Sequence, residues 1–544
     1  MKKFTNFPLF FYAALFFLPL LAYSQCAAPQ KYKNLAVNNI RAMFKTDGAH
    51  FFIESAEFEV PRGSGKTSLF ATTLWLGGKD AQNNLHFAGM LYGVKGNDYY
   101  AGPVSNSGAA ANTYYDKFWS LSKAEIDKHI ASYAEPTYII PQSISTWPAH
   151  GRAEYGESSK LAPYVNISGK STYTPSQGDY PLIRGDEAIF WINNDLCGAH
   201  GESGGVPLGV EIMSMAYAYN NPDYEMQNTI FLSYEIRNKS TETYKDLYVG
   251  LFVDFDIGYP NDDYIGCDTA LNLIYGYNGN EVDGAGEFYA YGATPPAQGV
   301  MFLNQKMNAF VSLADNNGIT GLPQIPNDFY NYFQAKWKNG TPLTYAGSGY
   351  NPSSTDYTNF MFNGNPVTQS GWTELTPTGS GSSPNAPGER SGIMSTGPFT
   401  LFAGDCMSVD IALPFAMDMN GSSVGSVALL KQNAQKIQQF YNNQNYEKKC
   451  SDNTGIVEKR HTASLQIYPN PSNGRFLMSC DEIIKSIEIY DMLGKKVFSD
   501  TPNELKARIN TDLPDGLYFY RAVLQNNSMG TGKILVQNII KVYP

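Results

Sequence analysis

The chain has 544 residues, of which 43% are hydrophobic and only 16% charged, and its formal net charge is −11 at pH 7. An acidic chain without basic runs excludes nucleic acid and anionic membrane surfaces as partners. The abundance of Gly, Pro and Tyr, with 38 tyrosines against 6 tryptophans, points to many short strands joined by tight turns, the tyrosines serving as strand filling or as a sugar-stacking surface.

The first element is a leader. Lys2 and Lys3 precede an apolar run from Phe7 to Leu21, and Ala22, Tyr23 and Ser24 follow with small residues at alternate positions, the pattern of a secretory signal peptide over residues 1–24. The run is short for a bilayer span and no later stretch is long enough to serve, so no transmembrane segment is expected after leader removal. Gln25 stands where a lipidated cysteine would need a small residue, which argues against lipid on Cys26. All six cysteines (Cys26, Cys197, Cys267, Cys406, Cys450 and Cys480) lie beyond Ser24. Their even number permits disulfides without fixing the pairing, and without a C-x-x-C pair a structural zinc site is not expected.

Residues 25–445 read as one large β-rich, sandwich-like region with a few helices, long enough for two lobes. The string GSGKT at 63–67 suggests a phosphate-binding loop, but Val60 occupies the position of the required first glycine, Pro61 removes a backbone donor, and a strand pattern follows where a helix is needed. It is therefore a turn feeding a strand. Ser122 and Glu125 form a capping box that starts a short helix. Ile230, Leu232, Tyr234 and Ile236 alternate with Thr229, Ser233 and Glu235 as in a half-buried strand, and the stretch from 246 to 258 is apolar on both faces until Asp254, as in a covered central strand. The Gly, Ser, Pro and Asn content of 346–398 predicts a long surface excursion. Leu430, Ala434, Ile437 and Tyr441 mark one face of the strongest helix, which should cap the region.

Three stretches invite chemistry. Gly201, Ser203 and Gly205 satisfy G-x-S-x-G, with His150 upstream, yet a strand follows where a nucleophile elbow requires a helix, so a glycine-rich loop is the better reading. Asp254 and Asp256 share one strand face, and Asp262, Asp263 and Asp268 follow. A solvated acidic turn, a calcium site on Asp254, Asp256, Asp262 and Asp263, and a glycosidase-type acid/base pair all remain open for them. Around Asn166 and Ser168, Lys170 would oppose a metal, so no calcium is expected there. The RGD at Arg184 to Asp186 is too short a string to imply a receptor.

A polar, aperiodic linker over 446–464 leads to residues 465–544, which read as a small immunoglobulin-like β-sandwich with turns at 470–474, 492–496 and 513–516. This part resembles the type A C-terminal sorting domain of Bacteroidota type IX secretion through Tyr468, Pro469, Asn470, Pro471, Gly474 and Phe476, then Ile489, Tyr490, Asp491, Gly494 and Lys495, then Leu513, Pro514, Gly516, Leu517 and Tyr518, and finally Gly532 and Lys533. The resemblance implies that an outer-membrane translocon recognises the domain and that the remainder is released or displayed on the cell surface after passing through the periplasm. One departure is the extension through residues 538–544, beyond the point where such domains usually stop. Blocks at 74–103, 178–195, 262–279 and 397–412 are similar to blocks of large secreted Bacteroidota proteins without an assigned activity.

The expected protein is mainly β and exported, its large region serving in adhesion, glycan binding or surface structure. It has no complete catalytic constellation and needs no cofactor beyond the calcium that the aspartates would suit. The alternative is a secreted hydrolase using Ser203 or the carboxylates near Asp254.

Overall fold

The structure, a computed structural model, describes residues 26–379, 381–444, 446, 466–468, 470, 472–492, 495–525 and 529–537. The leader, Cys450, most of the linker, Pro469, Pro471, Gly494 and the extension 538–544 lie outside the described residues. The chain divides into two compact units, Met1–Thr454 and Gly455–Pro544.

In chain order, the strands of the first unit used below are β1 (Phe58–Glu59), β2 (Thr67–Leu69), β3 (Ala71–Lys79), β4 (Glu187–Asn194), β5 (Val210–Ala218), β6 (Thr229–Asn238), β7 (Tyr244–Phe255), β8 (Asp263–Asp268), β9 (Leu273–Asn278), β10 (Ala297–Phe302), β11 (Ala309–Leu313), β12 (Arg390–Leu401) and β13 (Cys406–Ala416). The helices are α1 (Lys123–Ser132), α2 (Pro326–Phe333) and α3 (Ser423–Asn443). A nine-stranded sheet runs β8-β9-β10-β13-β6-β5-β4 and ends on two short strands that pair with β4. A six-stranded sheet has the core order β11-β12-β7-β3.

The alternation seen in the sequence decides how these sheets meet. Ile230, Leu232, Tyr234 and Ile236 of β6 point into a core shared with Leu74 and Leu76 of β3 and with Val249, Leu251 and Val253 of β7. Phe231 points the other way, into a second core with Leu430, Ala434 and Ile437 of α3. The large sheet is thus covered on both faces. The extra length of this region forms a second apolar layer outside the same sheet, and the region is a single compact unit.

Local signals fold as their chemistry dictates. The Ser122 hydroxyl accepts from the Glu125 N–H while the Glu125 carboxylate accepts from the Ser122 N–H at 2.8 Å, starting α1. GSGKT spans the turn between β1 and β2, where Val60 N–H bonds Lys66 O at 2.9 Å and Gly65 N–H bonds the Glu59 carboxylate at 2.7 Å. The stretch from 346 to 398 departs from its expected surface course: Met361, Phe362 and Trp372 are buried in the first core, and β12 begins at Arg390. Its polar composition masks these few apolar anchors. Cys26 and Cys197 form a disulfide, Cys406 is also disulfide-bonded, and Cys267 and Cys480 are buried thiols.

The second unit holds β14 (Gln466–Tyr468), β15 (Arg475–Tyr490), β16 (Lys496–Asp500), β17 (Glu504–Asn510), β18 (Gly516–Leu524) and β19 (Met529–Val536). The first part of β15 pairs with β14 and β17, and its second part with β16 and β18. Ile487, Ile489, Tyr518 and Tyr520 share its separate core.

Leu430 is fully buried under the large sheet, so Leu430→Ala should lower the free energy of unfolding by about 2–5 kcal/mol. Lys436→Ala, which removes only the exposed pair with Glu225 at 3.2 Å, should cost less than about 1 kcal/mol. Urea unfolding of both variants checks this.

Candidate functional sites

The carboxylates of β7 converge with a residue that the sequence reading missed. Register pairs Phe255 with Arg390 and Asp254 with Ser391. Asp256 and Glu389 are the next residues beyond that last pair, one just after β7 and the other just before β12. Single oxygens of Asp254, Asp256 and Glu389 lie within 4.8 Å of one another. Asp254 is buried, Asp256 half-buried and Glu389 exposed. The Tyr92 hydroxyl donates to Asp254 Oδ2 at 2.8 Å, while Asp254 Oδ1 and Asp256 Oδ1 have no hydrogen-bond partner.

Burial and like charge dominate the electrostatics. Burial, then Asp256, Glu389 and Asp315, push the Asp254 carboxyl well above the usual range, with only the Tyr92 hydrogen bond opposing. Burial and then Glu389 raise Asp256 to about 7. Glu389 is raised by burial and then Asp315, against the lowering effect of Arg390. Arg390 is itself paired with Glu374 at 2.7 Å.

The other aspartates of the expected calcium set turn elsewhere. Asp262 Oδ2 accepts from Gly284 N–H at 3.0 Å and the Asn280 amide at 3.3 Å, and Asp263 Oδ2 accepts from Ile257 N–H at 2.9 Å. Asp268 pairs with Lys431 at 3.1 Å. Period-two spacing correctly joins Asp254 to Asp256, but after Phe255 the strand ends and the spacing no longer fixes which way a side chain points.

Ser203 is not arranged as a nucleophile. It is buried, its hydroxyl donates to Asp98 Oδ2, and it accepts from Gly205 N–H at 3.1 Å. Both ring nitrogens of neighbouring His200 lie 2.7 Å from carbonyl oxygens, of Phe87 and Asp195, so neither is free to take the serine proton. His150 is bound at 2.5 Å to Ser159 O and packs on Tyr164. The loop at Asn166, Ser168 and Lys170 is organised by Asp179, which accepts from Ile167, Ser168 and Thr174 N–H groups at 2.7 to 2.8 Å.

On the outer face of the large sheet the cover opens into a cleft of about 550 Å³. Its floor is two cross-strand rows, Phe190–Met215–Ser233–Asp410 and Met213–Glu235–Ser408, set by the register of β4, β5, β6 and β13. Each row runs from apolar to polar. Arg184, the first residue of RGD, pairs with Asp410 at 2.8 Å and lies under the Tyr446 ring at 4.2 Å from its centre. Burial opposes the charge on Arg184, but Asp410 and Tyr217 outweigh it and raise its pKa. Tyr441, from the end of α3, also donates to Asp410, and Glu235 is held by Arg237.

In the second unit, the expected sorting residues hold turns and edges. Asn470 accepts from Leu535 N–H at 2.8 Å and donates to Lys533 O at 3.0 Å. Gly474 sits at φ 83°, where an added Cβ would meet Thr511 O at 2.3 Å. Phe476 and Tyr518 are in the core, and the Tyr518 hydroxyl bonds Pro514 O at 2.9 Å. Lys495 and Asp491 close the turn before β16. Gly516 and Leu517 open β18 against Val536 and Leu535, Tyr468 pairs with Leu477, and a Cβ on Gly532 would strike the Tyr520 ring at 2.6 Å. Lys533 pairs with Phe519 and is exposed.

A unit so built defines a class. Residues 466–537 match the family model of the secretion system C-terminal sorting domain. The chain is accordingly a cargo of type IX secretion, exported to the cell surface or beyond. No curated protein matches the sequence. Among solved structures, a polysaccharide lyase is similar over 61% of this chain and 34% of its own, at 10% identity and a TM-score of 0.19, so this chain spans about a third of that protein's length.

Two outcomes are expected. In chelator, Asp256 binds its proton up to about pH 7 when folded but only to about 3.8 when unfolded, so its stabilising contribution is complete below about pH 4 and is lost as pH rises to 7. The gap in urea midpoint between pH 4.5 and 7.5 should therefore move in favour of the higher pH in Asp256→Asn relative to the parent. Gly474→Val should destabilise the sorting unit by at least about 1 kcal/mol and lower the exported fraction in a type IX-competent host, measured by immunoblot of medium and cell surface against cell lysate.

Proposed function

We propose that the region preceding the sorting domain is a glycan-binding module that acts in adhesion or surface structure once exported, with the outer cleft as its sugar site. The observation that carries this reading is the graded floor of the cleft. Sugars present apolar C–H faces and polar hydroxyl edges together. Phe190, Met213 and Met215 offer apolar contact beside the Tyr441 and Tyr446 rings, while Arg184, Asp410, Glu235 and Ser408 offer donors and acceptors. Because Asp410 and Glu235 are each held by a guanidinium, they serve as fixed acceptors and not as proton shuttles.

The rival reading is a hydrolase at Asp254, Asp256 and Glu389, favoured by the proton that Asp256 holds to about pH 7. One experiment separates them. The full chain applied to a glycan array should retain a defined oligosaccharide without releasing reducing ends or unsaturated products. Tyr446→Ala should weaken that binding about tenfold or more. Equal binding by Tyr446→Ala, or absence of any glycan ligand, rejects the cleft; sugar release abolished by Asp256→Asn establishes the rival.

A further inference from the structure

Outside the cleft, the arrangement least explained by folding alone is the carboxylate trio at the end of β7. Three acids, Asp254 in β7, Asp256 just after it and Glu389 just before β12, are brought within 4.8 Å of one another, with Asp315 adding a fourth carboxyl nearby, and no described Lys, Arg or His forms an ion pair with any of the four. Asp254 is only 2% exposed, and its Oδ1 is bonded to nothing, although a buried carboxylate oxygen ordinarily finds a donor. Asp256 Oδ1 is in the same condition. Tyr92 donates to Oδ2 of Asp254 and leaves Oδ1 open. Phe52 and Phe70 pack on Tyr92 and hold the hydroxyl in place. Exposed Glu389 gives the trio an opening to solvent.

We propose that Asp254, Asp256 and Glu389 bind a divalent cation, calcium, the ion whose all-oxygen, geometrically tolerant coordination suits converging carboxylates and leaves positions for water. The ion supplies positive charge among the three carboxylates, where no described cation forms an ion pair, and satisfies the orphaned oxygens. It also clamps β7 to β12 at the point where their ladder ends, linking residues 133 positions apart in the chain. The site stands independently of the glycan reading, being formed by other strands.

The test is calorimetric titration of calcium chloride into the EDTA-dialysed full chain, alongside thermal melts with and without the ion. One site is expected, with a higher melting temperature in calcium. Glu389→Gln, a surface change that leaves folding intact, should weaken binding about tenfold or more. Asp256→Asn should do the same with an unchanged circular dichroism spectrum, and Asp262→Asn should keep the response. The proposal is overturned if the parent chain shows neither heat nor a melting shift with calcium. It is equally overturned if Glu389→Gln and Asp256→Asn respond as the parent does, or if Asp262→Asn loses the response while Glu389→Gln keeps it.

Discussion

The constraint on which the large unit depends is that its nine-stranded sheet must be covered twice. Both faces of β4 and β5 carry large apolar side chains, and β6 and β13 carry theirs mainly on the inner face, with Phe231, Ala412 and Ala416 on the outer one. Neither face can be left in water at roughly 25 cal/mol per Å² of apolar surface. One face is met by the six-stranded sheet and the other by α3 and the segments before β4. Everything functional follows from how that cover is completed. Where the cross-strand rows turn from Phe190 and Met215 to Ser233 and Asp410, the outer cover no longer gains by closing, and the cleft remains.

The same sandwich explains why the carboxylates matter. β7 and β12 lie inside the six-stranded sheet, so a charged residue at the end of either strand enters surroundings that disfavour charge. Most buried acids of this protein are disarmed by backbone N–H groups, as Asp195 is by Leu208 and Val210 and Asp179 by its loop. Asp254 and Asp256 receive no such treatment. The contrast between acids that the backbone satisfies and acids that it leaves bare distinguishes a structural carboxylate from one held ready for something else.

Much of this was legible in the sequence, and what was missed has two causes. The capping box of α1, the apolar stripe of α3, the alternation of β6 and the covered character of β7 are local patterns, and each folds as its spacing dictates. The sorting domain was legible because its motifs recur in order over a short chain length. Glu389 was not, because its place near Asp256 is set by the pairing of β7 with β12, which no local spacing reports. The cleft was hidden for the same reason: its floor comes from four strands, and Ser233 and Glu235 look from the sequence like ordinary outward-facing residues. The long polar stretch before β12 misled by composition, since three large apolar residues suffice to anchor it.

The bond between Cys26 and Cys197 joins positions 171 residues apart. A protein that works outside the cell meets proteases there, and the loops between those positions lie inside the span that the disulfide closes. A single cut among them yields two fragments still tied by sulfur, with the strands of the large sheet held in place. Scission of the backbone and loss of the covalent link between the pieces thus become separate events, the second requiring reduction of the disulfide.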